Sequence, residues 1–188
     1  EGETLPIKSN ELRSLAVIGP NADRIMLGGY SGTPKYYTTV LEGINEKLGE
    51  KVDVKYGEGC KITIGGSWTE DIVTPSDPEE DKRLIKEAVE IAKESDKIVL
   101  VIGGNEQTSR EAWDIAHLGD RTSLELVGKQ IELFRELKKL GKPIVVVLFN
   151  GRPLSISELK EDADAILECW YLGQKNGRAV TDVLFGDL

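Results

Sequence analysis

Five short apolar runs, most of them rich in β-branched residues, recur along the chain at Leu15–Ile18, Val52–Tyr56, Ile98–Ile102, Ile144–Phe149 and Ala165–Cys169. Between them, apolar residues return every three or four positions, the period of a helix with one buried face. Val40, Leu41, Ile44 and Leu48, closed by Gly49, predict one such helix. Asp77 as cap, Pro78 at the first helical position and Glu80 three residues after the cap open a second, in which Leu84, Ile85, Ala88, Val89 and Ala92 share a face as far as about Ser95. Ile131, Phe134, Leu137 and Leu140 form a third, stopped by Gly141 with Pro143 just beyond. A last helix covers about Asn176 to Phe185, with Val180, Val183 and Leu184 expected to face the sheet. This alternation predicts an α/β fold, a three-layer sandwich with a mostly parallel central sheet and helices on both faces. The sandwich occupies residues 14–188, and residues 1–13 read as a linker-like segment.

Two connections break the rule of short loops, Gly57 to Asp77 and Gly103 to about Leu126, and structureless stretches of that length in a compact domain are usually functional or disordered. The second leaves the carboxyl end of Lys97–Ile102, a strongly apolar run, which is where open α/β sheets bind ligands. It also gathers ionisable and aromatic residues: Glu106, Arg110, Glu111, Trp113, Asp114, His117, Asp120 and Arg121. Trp68, Tyr30, Tyr36 and Tyr37 lie in or beside other loops.

Composition narrows the function classes. The chain has 188 residues, 39% of them hydrophobic and 30% charged, which suits one globular domain with a sizeable core. A formal charge of −9 and a pI near 4.8 argue against nucleic acid, whose phosphates need a basic face. No apolar stretch is long enough to span a bilayer. Cys60 and Cys169 lack metal-ligand spacing and read as small buried hydrophobes. With one histidine and no paired cysteines, no transition-metal site is expected. Neither Gly-x-Gly-x-x-Gly nor Gly-x-x-x-x-Gly-Lys occurs, so no nucleotide cofactor is expected either. The opening Glu1-Gly-Glu-Thr-Leu-Pro-Ile reads as the interior of a longer chain.

Glu111 stands out as candidate chemistry. A carboxyl beside Ala112 and Trp113 in a loop, if partly desolvated, would hold its proton near neutral pH and act as a general acid. The bland alternative is an ion pair with Arg110 or Arg121. Asp120 beside Arg121 reads as a structural ion pair, and Glu106 and Asp114 are competing carboxylates. His117 suits a structural or substrate-hydrogen-bonding role, since no Gly-x-Ser-x-Gly elbow offers it a nucleophile. Trp113 and Trp68 beside carboxylates suit a sugar, whose C–H faces stack while its hydroxyls need acceptors.

Several motifs occur in order: Val17-Ile-Gly-Pro-Asn-Ala-Asp23, Gly28-Gly-Tyr-Ser-Gly32, Thr39-Val-Leu-Glu-Gly-Ile44, Glu111 with Gly119-Asp-Arg121, Asn150-Gly-Arg-Pro153, and Trp170-Tyr-Leu-Gly-Gln174 with Asp182-Val-Leu-Phe-Gly-Asp187. Over nearly its whole length the chain thus resembles the second, α/β sandwich domain of family 3 glycoside hydrolases. The resemblance implies a retaining β-glycosidase acting on terminal β-D-glucosides or β-D-xylosides of oligosaccharides or aryl glycosides. It implies that a preceding barrel domain supplies an aspartate nucleophile, that Glu111 is the acid/base, and that Trp113 and His117 lie near the sugar or its leaving group, with Trp68 a substrate-stacking candidate on its aromatic face alone. Leu172 departs from the family's usual proline and Lys175 from its usual glutamate. The chain stops before the Pro-containing strand that normally follows Phe-Gly-Asp, so a missing last edge strand is expected. Without the nucleophile the isolated chain is expected to be inactive. The alternative from another class is a non-catalytic flavodoxin-like binding or scaffold domain, including an engineered fragment, since fold alone does not fix function.

Overall fold

The computed structural model describes residues 4–188. Five strands, β1 (Ser14–Ile18), β2 (Asp53–Gly57), β3 (Lys97–Gly103), β4 (Ile144–Phe149) and β5 (Ala165–Glu168), form one sheet in the order β2-β1-β3-β4-β5. Every pairing is parallel, so the expected mostly parallel sheet is wholly so among the described residues. Parallel strands need crossovers, and these are supplied by α1 (Val40–Leu48), α2 (Pro78–Lys93), α4 (Gln130–Lys138) and α5 (Ser157–Asp162), with a four-residue α3 (Glu106–Ser109) after β3 and α6 (Asn176–Phe185) last.

Alternate residues of each central strand enter opposite layers. Val99, Val101, Val145 and Val147 pack with Val40, Ile44, Val180 and Leu184 of α1 and α6. Ile98, Leu100, Ile102, Val146 and Leu148 pack with α2, α4 and α5 through Ala88, Phe134 and Leu159. Because both faces are covered, β4 is buried at every position, which is why its sequence is an unbroken apolar run rather than an alternating one. Over residues 4–13, Ile7 and Leu12 are buried in the first of these layers, and the Ile7 amide donates to the Leu184 carbonyl at 2.7 Å.

Two local readings are corrected and one helix was missed. Val183 is substantially exposed, and Thr181 takes the buried place beside Val180 and Leu184. Asp77 caps α2 through the Glu79 amide, while Glu80 turns away to pair with Lys61 at 2.8 Å. The helix missed is α5, six residues long with only Leu159 buried. Cys60 and Cys169 are free and buried, and burial pushes both thiols up, Cys169 to about 12.

The connection from β1 runs through α1 to β2 on one side, and the next crossover returns past β1 to β3 on the other. The direction in which strands are added to the sheet therefore reverses between β1 and β3, although the two strands run parallel. Loops leaving these two strands diverge and leave a crevice above their carboxyl ends.

Candidate active site

β3 ends at Gly103 with φ of 138°, where a Cβ would lie 2.0 Å from the Phe149 carbonyl oxygen. Only glycine fits there. The buried Gln130 side chain holds both polar groups of this residue, accepting from its amide at 2.8 Å and donating to its carbonyl at 2.9 Å. The chain then enters α3 through a capping box in which Asn105 Oδ1 accepts from the Thr108 backbone amide and the Thr108 hydroxyl accepts from the Asn105 backbone amide. Asn105 also donates to Thr63 at 2.8 Å, tying α3 to the connection that follows β2.

Beyond α3 the segment 110–120 doubles back on itself. The Trp113 amide donates to the His117 carbonyl, and the Ala112 amide donates to Asp120 Oδ1 at 3.1 Å. Arg152, from the loop after β4, donates to the Arg110 carbonyl. Gly119 lies against Glu111 so closely that a Cβ would be 2.7 Å from the Glu111 carbonyl. The backbone of Glu111 is thus fixed on both sides while its side chain projects free. The ion pair between Asp120 and Arg121 expected from the sequence does not form; Asp120 orders this turn by accepting from the Ala112 amide, and Arg121 donates to the Glu125 carbonyl.

The crevice at the carboxyl edge holds a cleft of about 310 Å³. All five strand-end loops reach it: Gly28 and Tyr30 after β1, Trp68 after β2, Glu106 and Ser109–Trp113 after β3, Gly151 after β4, and Tyr171 after β5. Trp68 and Trp113 lie nearly parallel, 16° apart with centroids at 6.4 Å, and Tyr30 leans on Trp68 at 5.7 Å. His117 stacks on Trp113 at 4.7 Å and 17°. Tyr171 closes the floor with its hydroxyl 2.7 Å from Ser109 Oγ, and burial raises its pKa. Its predecessor Trp170 has φ of 51°, a left-handed conformation uncommon for an aromatic residue and costing on the order of 1–3 kcal/mol.

Of the residues singled out from sequence, Glu111, Trp113 and Trp68 all line this cleft, and His117 stands behind Trp113 rather than on the lining. Glu106 lines it as well; Asp114 turns to the Ala116 amide. Glu111 makes no ion pair among the described residues. Arg110, the nearest candidate, is 1% exposed and donates instead to the Trp68 carbonyl at 2.8 Å, to Asp71 Oδ1 at 2.5 Å and to the Leu118 carbonyl. The Glu111 carboxylate is exposed, so the desolvation expected of a general acid is not supplied by this domain. Asp71, Arg152, Ser109 and Tyr171 were missed from sequence; Ser109 ends α3 two residues before Glu111, while the other three reach the site from the ends of β2, β4 and β5, and only their loop positions hinted at it. Among the described residues no group of three His, Cys, Asp or Glu side chains is arranged to hold a metal ion, and no helix is long and apolar enough to cross a membrane.

Comparison with known proteins places this geometry in a family. The C-terminal domain of glycosyl hydrolase family 3 matches residues 1–188. The chain belongs to that domain family. A β-xylosidase of Formosa agariphila is 42% identical across all of the chain but only 24% of its own length, and a periplasmic β-glucosidase of Salmonella typhimurium is 37% identical over 98% of the chain and 24% of its own. The solved structure of a β-glucosidase from Erythrobacter marinus superposes with a TM-score of 0.90 at 43% identity, covering 100% of this chain and 26% of that one. This family 3 C-terminal domain therefore spans about a quarter of the length of the curated relatives it matches.

Proposed function

We propose that this chain is the acid/base-bearing domain of a retaining β-glycosidase that removes terminal β-D-glucose or β-D-xylose from oligosaccharides or aryl glycosides. The observation that carries the reading is the Glu111 side chain: a carboxylate held on a fixed backbone at a cleft of stacked tryptophans, with its neighbouring arginine wholly engaged elsewhere. In a retaining mechanism one carboxyl group attacks the anomeric carbon while a second, roughly 5 Å away, protonates the departing oxygen and later deprotonates water. Glu111 takes the second role. Trp113 and Trp68 stack on the sugar or its leaving group, and His117 supports Trp113 from behind. The attacking carboxylate comes from a barrel domain elsewhere in the full-length protein, whose docking over the cleft also removes the water that now surrounds Glu111. The relatives' names, β-xylosidase and β-glucosidase, support the substrate class.

The chain alone is expected to release no nitrophenol from 4-nitrophenyl β-glucoside or β-xyloside. In the full-length protein, Glu111→Gln lowers kcat/KM on substrates with poor leaving groups by about 10²–10⁴-fold. Glu111→Ala turns over a dinitrophenyl glycoside slowly and is accelerated by azide, which needs no general base, with glycosyl azide as product. Full activity of Glu111→Gln on a poor leaving group would remove Glu111 from the mechanism.

A further inference from the structure

Asp71 lies in the long connection after β2, and three features converge on it. The buried Gln107 amide of α3 donates to the carbonyls on either side, Glu70 at 3.0 Å and Ile72 at 2.8 Å, and so clamps the backbone that presents the Asp71 carboxylate. One carboxylate oxygen accepts from Arg110 Nη2 at 2.5 Å and the other faces His117 Nδ1 at 3.0 Å. Since a carboxylate only accepts, Nδ1 carries the ring proton. Arg110 immediately precedes Glu111, its guanidinium carbon lies 5.3 Å from the Trp113 ring centre, and its other nitrogen holds the Trp68 carbonyl. His117 stacks on the same Trp113 ring.

We infer that Asp71 and Arg110 are positioning residues for the acid/base, which fix Glu111 and the two tryptophans relative to one another; the inference rests on the reading of Glu111 above. The physical reason is economy of freedom. Two long connections with little regular structure meet at the cleft, and a carboxylic acid on such a segment delivers its proton only if the distance to the leaving oxygen is held, since a misplacement of about 1 Å costs on the order of 10²-fold in rate. Packing does not hold this segment, because residues 111–116 are exposed. The buried guanidinium does, since it satisfies three acceptors at once, the Trp68 carbonyl and the Asp71 carboxylate on the connection after β2 and the Leu118 carbonyl on its own connection, and lysine in its place could not reach all three. The Arg110 charge is compensated by Asp71 alone among the described acidic groups, and that contact in turn holds the Asp71 carboxyl below the usual carboxylate range, with His117 adding to the effect. The chain of support runs from Gln107 through Asp71 to Arg110, and none of the three needs to touch the sugar.

The test compares full-length Asp71→Asn, Arg110→Lys and Glu111→Gln with the unaltered enzyme on two aryl β-glycosides, one with a poor phenol leaving group and one with dinitrophenol. The readout is the ratio of the two kcat/KM values, which does not depend on how much of each preparation is folded. Positioning predicts that Asp71→Asn and Arg110→Lys lower kcat/KM for the poor leaving group by about 10–100-fold and change the dinitrophenyl value far less, in the same sense as Glu111→Gln. An unchanged ratio in both variants, with a changed ratio in Glu111→Gln, overturns the positioning role and leaves the acid/base reading intact. An unchanged ratio in Glu111→Gln itself removes the acid/base reading and the inference with it.

Discussion

At the scale of single residues, the site depends on a close approach that tolerates no extra carbon. Gly119 sits against Glu111 and Arg110, with a Cβ position 2.7 Å from the first residue's carbonyl and 2.9 Å from the second's Cγ. The Arg110 carbonyl is anchored by Arg152 and its side chain by Asp71, so the strain of Gly119→Ala falls mainly on the Glu111 peptide. In the full-length enzyme this substitution is expected to cost roughly 10²-fold in kcat/KM. The turn is exposed and makes little core, so the melting temperature should move by no more than about 2 °C, the scale of a small surface change in a domain this size. Gly32→Ala is the control: its Cβ would meet nothing within 4 Å, and both activity and melting temperature should stay as they are. Equal activities for the two variants would show that the Glu111 backbone is not fixed as described.

At the scale of elements, α1 and α6 pack more closely than side chains allow. A Cβ on Gly177, at the second position of α6, would lie 1.9 Å from the Thr39 carbonyl, and one on Gly43 would lie 2.7 Å from the Gly177 carbonyl. The Gly177 amide also donates to the Thr38 carbonyl at 3.0 Å, joining the helix starts. Replacing glycine by alanine in a helix ordinarily gains up to about 1 kcal/mol. Here overpacking costs about 1–3 kcal/mol, so repulsion wins and Gly177→Ala should melt lower, by roughly 2–4 °C per kcal/mol lost. A variant that melts higher by calorimetry would mean the two helices stand further apart. Neither glycine could be assigned this role from sequence, because the approach joins residues more than 130 positions apart. What could be read were the elements whose pattern is strong by itself. Ile144–Phe149 is apolar throughout because both faces are covered, and α2 carries its own start signal and a five-residue apolar face. By contrast α5 has one buried residue and spans too few turns for a period to emerge, and Val183 fits the apolar period of α6 yet points outward, since only the neighbouring layers decide which side of a helix is covered. The same limit applies at the site. Glu111, Trp113 and Trp68 were legible because carboxylate and aromatics crowd two long loops, whereas Asp71 and Arg110 became a unit only when folding brought residues 39 positions apart together.

At the scale of the whole molecule, its acidic surplus and its ion pairs make stability one-sided in pH. Four carboxyls are held below their ordinary range: Asp71 by the Arg110 guanidinium, Glu94 by Lys55, Asp96 by the backbone amides of Arg13 and Ser14, and Glu158 by Arg135. A carboxyl with a depressed pKa in the folded chain binds its proton less readily there than in the unfolded chain. Its contribution is therefore complete above the unfolded value, about 4, and is lost as the pH falls through the folded one. The melting temperature should thus be nearly level from pH 7 to about 5 and decline below about 4. All four groups face solvent, so salt and water screen them and each share is small. Asp96 is the informative one, because its partners are backbone amides at the start of β1, at 2.8 and 3.0 Å, and fraying there exposes the strand on which the crevice is built. Asp96→Asn leaves a side chain of the same shape with a weaker acceptor. The variant should melt below the unaltered chain at pH 7, and the gap should close as the pH falls below about 4, where the native carboxyl also takes up its proton. A gap of constant size across that range would mean that shape at this position, and not charge, ties β1 to the sheet.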